Sequence, residues 1–145
     1  MRPLFFSLIL AAGMAHAAPA QSFKAINRLL VVPLNAADFE VIEARGEGAR
    51  GMWCAAADYA IARGISRSAR LYIKTPRGAS VSGAGRIGAV FTLDESRLSS
   101  APFQSYSVSV TAVGEDLPIH HAYQFCKDYL LERDDFLFNR RRLLD

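Results

Sequence analysis

Two cysteines, Cys54 and Cys126, do most to limit what this chain can fold into, because each falls on the inner side of a segment that reads as a helix. Their compartment decides what they do. Residues 1–20 (MRPLFFSLILAAGMAHAAPA) have the parts of a secretory signal peptide. Arg2 gives a positive start, residues 4–12 a short apolar run, and Ala15-His16-Ala17 the small residues that a signal peptidase reads. Cleavage is expected after Ala17, with a second site after Ala20. The apolar run is shorter than the ~20 residues that span a bilayer, and no Cys follows it to take a lipid. The product is therefore expected in a bacterial periplasm or outside the cell. In that oxidising setting, two Cys residues and no others predict one disulfide, Cys54–Cys126.

Between these anchors the hydrophobic pattern switches between strand and helix periods. Residues 28–32 (RLLVV), stopped by Pro33, predict a strand. Residues 39–44 (FEVIEA) predict a second, half-buried strand pairing with it across a turn at 35–38. Residues 51–64 (GMWCAAADYAIARG) predict an alanine-rich helix that can approach a neighbour closely, closed at Gly64 and Ile65 by a Schellman ending. Residues 71–75 predict a strand, Pro76-Arg77-Gly78 a turn, residues 79–87 a weak strand and residues 88–93 a firmer one. The cleanest alternation lies at residues 105–113, where Tyr106, Val108, Val110 and Ala112 oppose Ser105, Ser107, Ser109 and Thr111. That pattern predicts a strand with one buried and one wet face, hence an antiparallel sheet. A second helix is expected from an N-cap at Asp116, with Pro118 in its first turn and Ile119, Ala122, Tyr123, Cys126, Tyr129 and Leu130 facing inward.

The predicted fold is α+β: one domain over residues 21–145, with an antiparallel sheet of four to six strands, two main helices on one face, one disulfide and a short basic tail. No later segment is long and apolar enough to span a membrane. Net charge is +3, with Arg scattered until Arg140, Arg141 and Arg142, so nucleic acid is not an expected partner. Those three arginines, among Phe136, Leu137, Phe138, Leu143 and Leu144, offer a small basic-apolar patch to an anionic lipid or a partner.

The chemical motifs thin out under inspection. GxGxxG occurs at Gly46, Gly48, Gly51 and again at Gly83, Gly85, Gly88. The first follows a strand bearing Glu40 and Glu43 and contains Glu47, which would repel a pyrophosphate; the second precedes a strand, not a helix. No cofactor is expected. His120 and His121 are adjacent on a helix and diverge by about 100°, so they predict no metal site. Asp58, if turned inward, is expected to pair with an Arg. Trp53-Cys54 near a helix start resembles the nucleophile placement of papain-like enzymes and cell-wall peptidases. The functional expectation is a non-enzymatic envelope or secreted domain that binds a small ligand or a protein, with no catalytic residues. The alternative is a cysteine-dependent hydrolase or transpeptidase using Cys54 with His120 or His121. A third option is an inhibitory or structural module acting through its sheet edge or tail.

Overall fold

A computed structural model describes residues 21–131 and 133; the proposed leader, residues 1–20, and the basic tail, residues 134–145, lie outside the described residues. The chain runs β1 (Phe23–Lys24), β2 (Leu30–Pro33), β3 (Asp38–Ile42), α1 (Gly48–Ala62), β4 (Arg70–Ala79), β5 (Ile87–Thr92), β6 (Asp116–Pro118) and α2 (Ile119–Ala122). After Tyr123 the chain is helical again over residues 124–131. The six strands form one sheet in the order β1-β2-β3-β5-β4-β6, with every neighbouring pair antiparallel. The α+β architecture predicted from the sequence is the one observed.

The hairpin β2–β3 turns on Asn35, whose side-chain oxygen accepts from the backbone N–H groups of Ala37 and Asp38. This is the Asx geometry that makes Asn a turn former. From β3 the chain crosses through α1 to β4, and β5 then inserts between β4 and β3. One face of the sheet contributes Val31, Phe39, Val41, Leu71, Ile73, Ala89, Phe91 and Leu117 to the main core. Against it lies α1, in which every residue from Gly51 to Ala57 is buried. A helix buried on nearly all sides must carry small residues where its neighbours approach, and Ala55, Ala56, Ala57 and Ala60 do so. Trp53 meets Phe91 edge-on at 5.0 Å, and Tyr59 packs at 4.7 Å from Phe39. The helix ends as predicted: Gly64 N–H bonds Ile61 O and Ile65 N–H bonds Ala60 O. Cys54 and Cys126, both fully buried, are joined in a disulfide that fastens the helical segment 124–131 to α1.

Several local expectations are corrected. Residues 80–86 form a loop of bends, not the weak strand expected over 79–87, because β4 already ends at Ala79 and β5 starts only at Ile87. Residues 105–113 are not a strand. The edge of β4 they would need is held by β5 on one side and by residues 114–118 on the other, through Gly114 N–H to Ile73 O and Ile73 N–H to Glu115 O. Pro76-Arg77-Gly78 is no turn but part of β4, sitting where the β4–β5 register shifts. A bulge tolerates a proline that cannot donate. Asp116 caps no helix; it lies in β6 with its carboxylate on Arg70, and α2 starts at Ile119. Asp58 pairs with a backbone amide, Ile26 N–H at 2.8 Å, not with an Arg.

The disulfide closes a loop between residues 72 positions apart. A Cys54→Ser/Cys126→Ser double variant is expected to lose about 4 kcal/mol on the chain-entropy account. A urea midpoint unchanged from the parent protein would refute that.

Candidate functional site

The groups that looked chemically promising are placed where they hold the fold together. Cys54 is in the disulfide, so it presents no thiol. His120 Nδ1 lies 3.1 Å from Arg67 O, and the His121 ring packs near Phe125. Among the described residues no cluster of His, Cys, Asp or Glu is arranged to hold a metal.

A polar constellation that the sequence did not reveal occupies the other face of the sheet. Strand register sets Asp38, Thr92, Tyr72 and Asp116 side by side across β3, β5, β4 and β6. Asp38 is nearly fully buried and takes bonds from Lys74, Asn35 and Arg97. Asp116 pairs with Arg70, and Tyr72 donates to Glu95 at 3.3 Å. One register step along, buried Glu40 accepts from Val81 N–H at 2.8 Å, Ser82 N–H at 2.9 Å and the hydroxyls of Ser80 and Ser82. The segment 80–86 thus folds back over the sheet as a cover. Its second GxGxxG pattern belongs to that cover and the start of β5: a Cβ on Gly88 would sit 2.5 Å from Glu40 Oε1. Burial pushes the Asp38 and Glu40 carboxyls up, but the donors around each outweigh it and hold both below their ordinary values. Burial, and then neighbouring Glu95, push the Tyr72 phenol up. Among the described residues no buried side-chain nitrogen or oxygen lacks a partner. A network so fully satisfied is a device for packing polar groups under a loop.

Among the described residues, the candidate surface for meeting another molecule is the segment between a 3-10 turn at Glu95–Arg97 and β6. From Leu98 to Gly114 there is no charged side chain, in a chain that is 21% charged. Gln104, Ser105, Tyr106 and Ser107 are all exposed, Tyr106 completely. Both ends of this projection are pinned to the same short stretch. At the first, Phe103 N–H bonds Gly114 O at 2.9 Å and Asp116 N–H bonds Phe103 O at 3.1 Å. At the second, Ser109 N–H and Oγ both donate to the buried Glu115 carboxylate. Trp53 Nε1 donates to Ser109 O at 2.7 Å from inside the core, and Arg77 N–H bonds Val110 O at 2.7 Å. Gly114 has φ +85°, and a Cβ there would lie 2.7 Å from Ala101 O, so only glycine fits this crossing. At the loop's foot, Glu95, Ser96 and the stretch 98–102 line an open basin of about 700 Å³.

A second concavity, about 340 Å³, lies between the start of α1 and helix 124–131. Arg45, Arg50, Glu47 and Asp128 line it with Phe125, so its cations face its own acids, and Arg50 already lies over the Phe125 ring. The loop has no such internal match for its exposed Tyr106. Compared with protein-family models, curated proteins and solved structures, the chain finds no match.

Because the Asp38 and Glu40 carboxyls titrate lower in the fold than in the unfolded chain, their contribution is complete above pH ~4.5 and is lost as pH falls toward their folded values. Glu40→Gln should cost about 1–3 kcal/mol at neutral pH, by setting an amide N–H against donors, and should flatten the loss of stability below about pH 4. Urea midpoints across pH 2–7 (a range of about five units around the carboxylate pKa values) check both; parallel curves for variant and parent would refute the assignment.

Proposed function

We propose that this chain is an exported, non-enzymatic protein-binding domain of the bacterial periplasm or the extracellular space, and that its binding element is the loop tipped by Tyr106. The observation that carries this is the loop's composition in its setting: an uncharged, serine-rich projection with a fully exposed tyrosine, anchored at both ends to buried groups. Interface cores are depleted in charge and enriched in aromatic residues. Tyr and Ser together dominate paratopes, Tyr giving contact area at low entropy cost and Ser adaptable hydrogen bonds. A tyrosine left wholly in water by a folded chain has no packing role to explain it.

Export is supported by the leader pattern in residues 1–20 and by the disulfide, which an oxidising compartment maintains. No helix among the described residues is long and apolar enough to cross a membrane. The intact mass of the protein recovered from its native compartment should correspond to a chain starting at Ala18 or Gln21. A protein that keeps Met1 and stays in the cytoplasm would refute export.

Binding is tested by placing a photoreactive side chain at Ser107 and, as a control on the far edge of the sheet, at Lys24. Irradiation in the native compartment should give a discrete protein adduct from position 107 that disappears in a Tyr106→Ala background. Equal adducts from both positions, or one indifferent to Tyr106, would rule the loop out.

A further inference from the structure

We infer that the Tyr106 loop is a substrate-mimicking segment that occupies the cleft of a serine endopeptidase with an aromatic primary pocket, so that the domain acts as a peptidase inhibitor. The inference rests on the protein-binding role just proposed and names the class of partner. Three features of the loop point to it.

The first is presentation. An endopeptidase closes around a segment that stands clear of its fold, and Gln104, Ser105, Tyr106 and Ser107 do so together. Tyr106 is fully exposed among them. The second is side-chain chemistry. A hydrophobic slot selects an aromatic residue on the acyl side of the scissile bond, and Tyr106 is the only fully exposed large apolar side chain among the described residues. Its neighbours Ser105 and Ser107 are small and uncharged, and no charge from Leu98 to Gly114 opposes entry.

The third feature separates an inhibitor from a mere substrate. Hydrolysis at Tyr106 adds one water across the Tyr106–Ser107 amide, leaving a carboxylate on Tyr106 and an amine on Ser107. In an ordinary loop those ends would drift apart. Here the Tyr106 side is tied through Phe103 to Gly114 and Asp116, and the Ser107 side through Ser109 to Glu115. Residues 114–116 are themselves fixed to β4 by the bonds to Ile73 and the pairing of Tyr72 with Asp116. Both new ends therefore stay on one rigid support at high effective concentration, which favours re-forming the amide with loss of the same water. Trp53 positions the second end from the core, through its bond to Ser109 O.

The test uses the oxidised, mature chain against chymotrypsin as probe, with trypsin as control. Stoichiometric, slowly reversed inhibition of chymotrypsin and none of trypsin is expected. Tyr106→Gly should weaken it roughly thirtyfold or more, as for loss of a central anchor residue. Tyr106→Arg should transfer inhibition to trypsin, and neither change touches the core. Trp53→Phe should keep the specificity but shorten the time before the loop is cut through and released. Rapid cleavage after Tyr106 without inhibition would make the loop a substrate only, and absence of any effect would exclude the peptidase class; either overturns the inference. A Tyr106-dependent adduct at position 107 that persists in those cases would leave the protein-binding role standing.

Discussion

A buried indole must place its N–H on an acceptor, and in this fold that requirement couples the core to the surface. Trp53 is fully enclosed, edge-on to Phe91 beneath the sheet, and its nitrogen reaches Ser109 O on a stretch outside the regular elements. At the next position, Cys54 ties the same helix to segment 124–131. The two residues therefore do different work from adjacent positions. One fastens the second helix, and the other fastens the end of the loop. Neither would be in place if α1 could slide on the sheet, which is why its near-complete burial matters more than its modest length.

The opposite face of the sheet solves a different problem. A sheet with one wet face would leave β3 half exposed, yet every residue of Asp38–Ile42 is buried. Burying two carboxylates on one strand is tolerable only when each is surrounded by donors. Asp38 uses cations from β4 and from the turn after β5, whereas Glu40 uses the backbone and hydroxyls of segment 80–86. The polar face thereby recruits two loops as covers. Once they are down, the surviving long exposed connection is the one before β6.

The architecture was legible in the sequence because its determinants are local. The hairpin at Asn35, the Schellman end at Gly64 and the alanine-rich helix each announce themselves within a few residues. The disulfide followed from the cysteine count and the expected compartment. The misreadings have long-range causes. Residues 105–113 alternate as a strand should, but strand propensity is realised only against a free edge, and residues 114–118 had taken it. Asp116 looked like a helix cap, yet its carboxylate is claimed by Arg70, 46 residues away. The row Asp38–Thr92–Tyr72–Asp116 exists only through register between strands distant in sequence, which no single segment encodes. The loop proposed to bind had a signal, the charge-free run around Tyr106, but the same run's alternation disguised it as a strand.

That disguise is itself informative. A segment with strand-like alternation kept out of the sheet leaves its tyrosine uncommitted to the fold, while its far end is held by a buried indole and a buried carboxylate. Stability and presentation are thus carried by separate parts: the disulfide, the aromatic core and the satisfied carboxylates hold the scaffold, and the exposed residues 104–107 lie outside all three. Substitutions at the tip can alter what the domain meets without altering whether it folds. A loop with that independence is what a scaffold needs if its role is to be recognised by another protein, because partner choice can then vary at Tyr106 while the pins at Phe103, Ser109 and Trp53 stay constant.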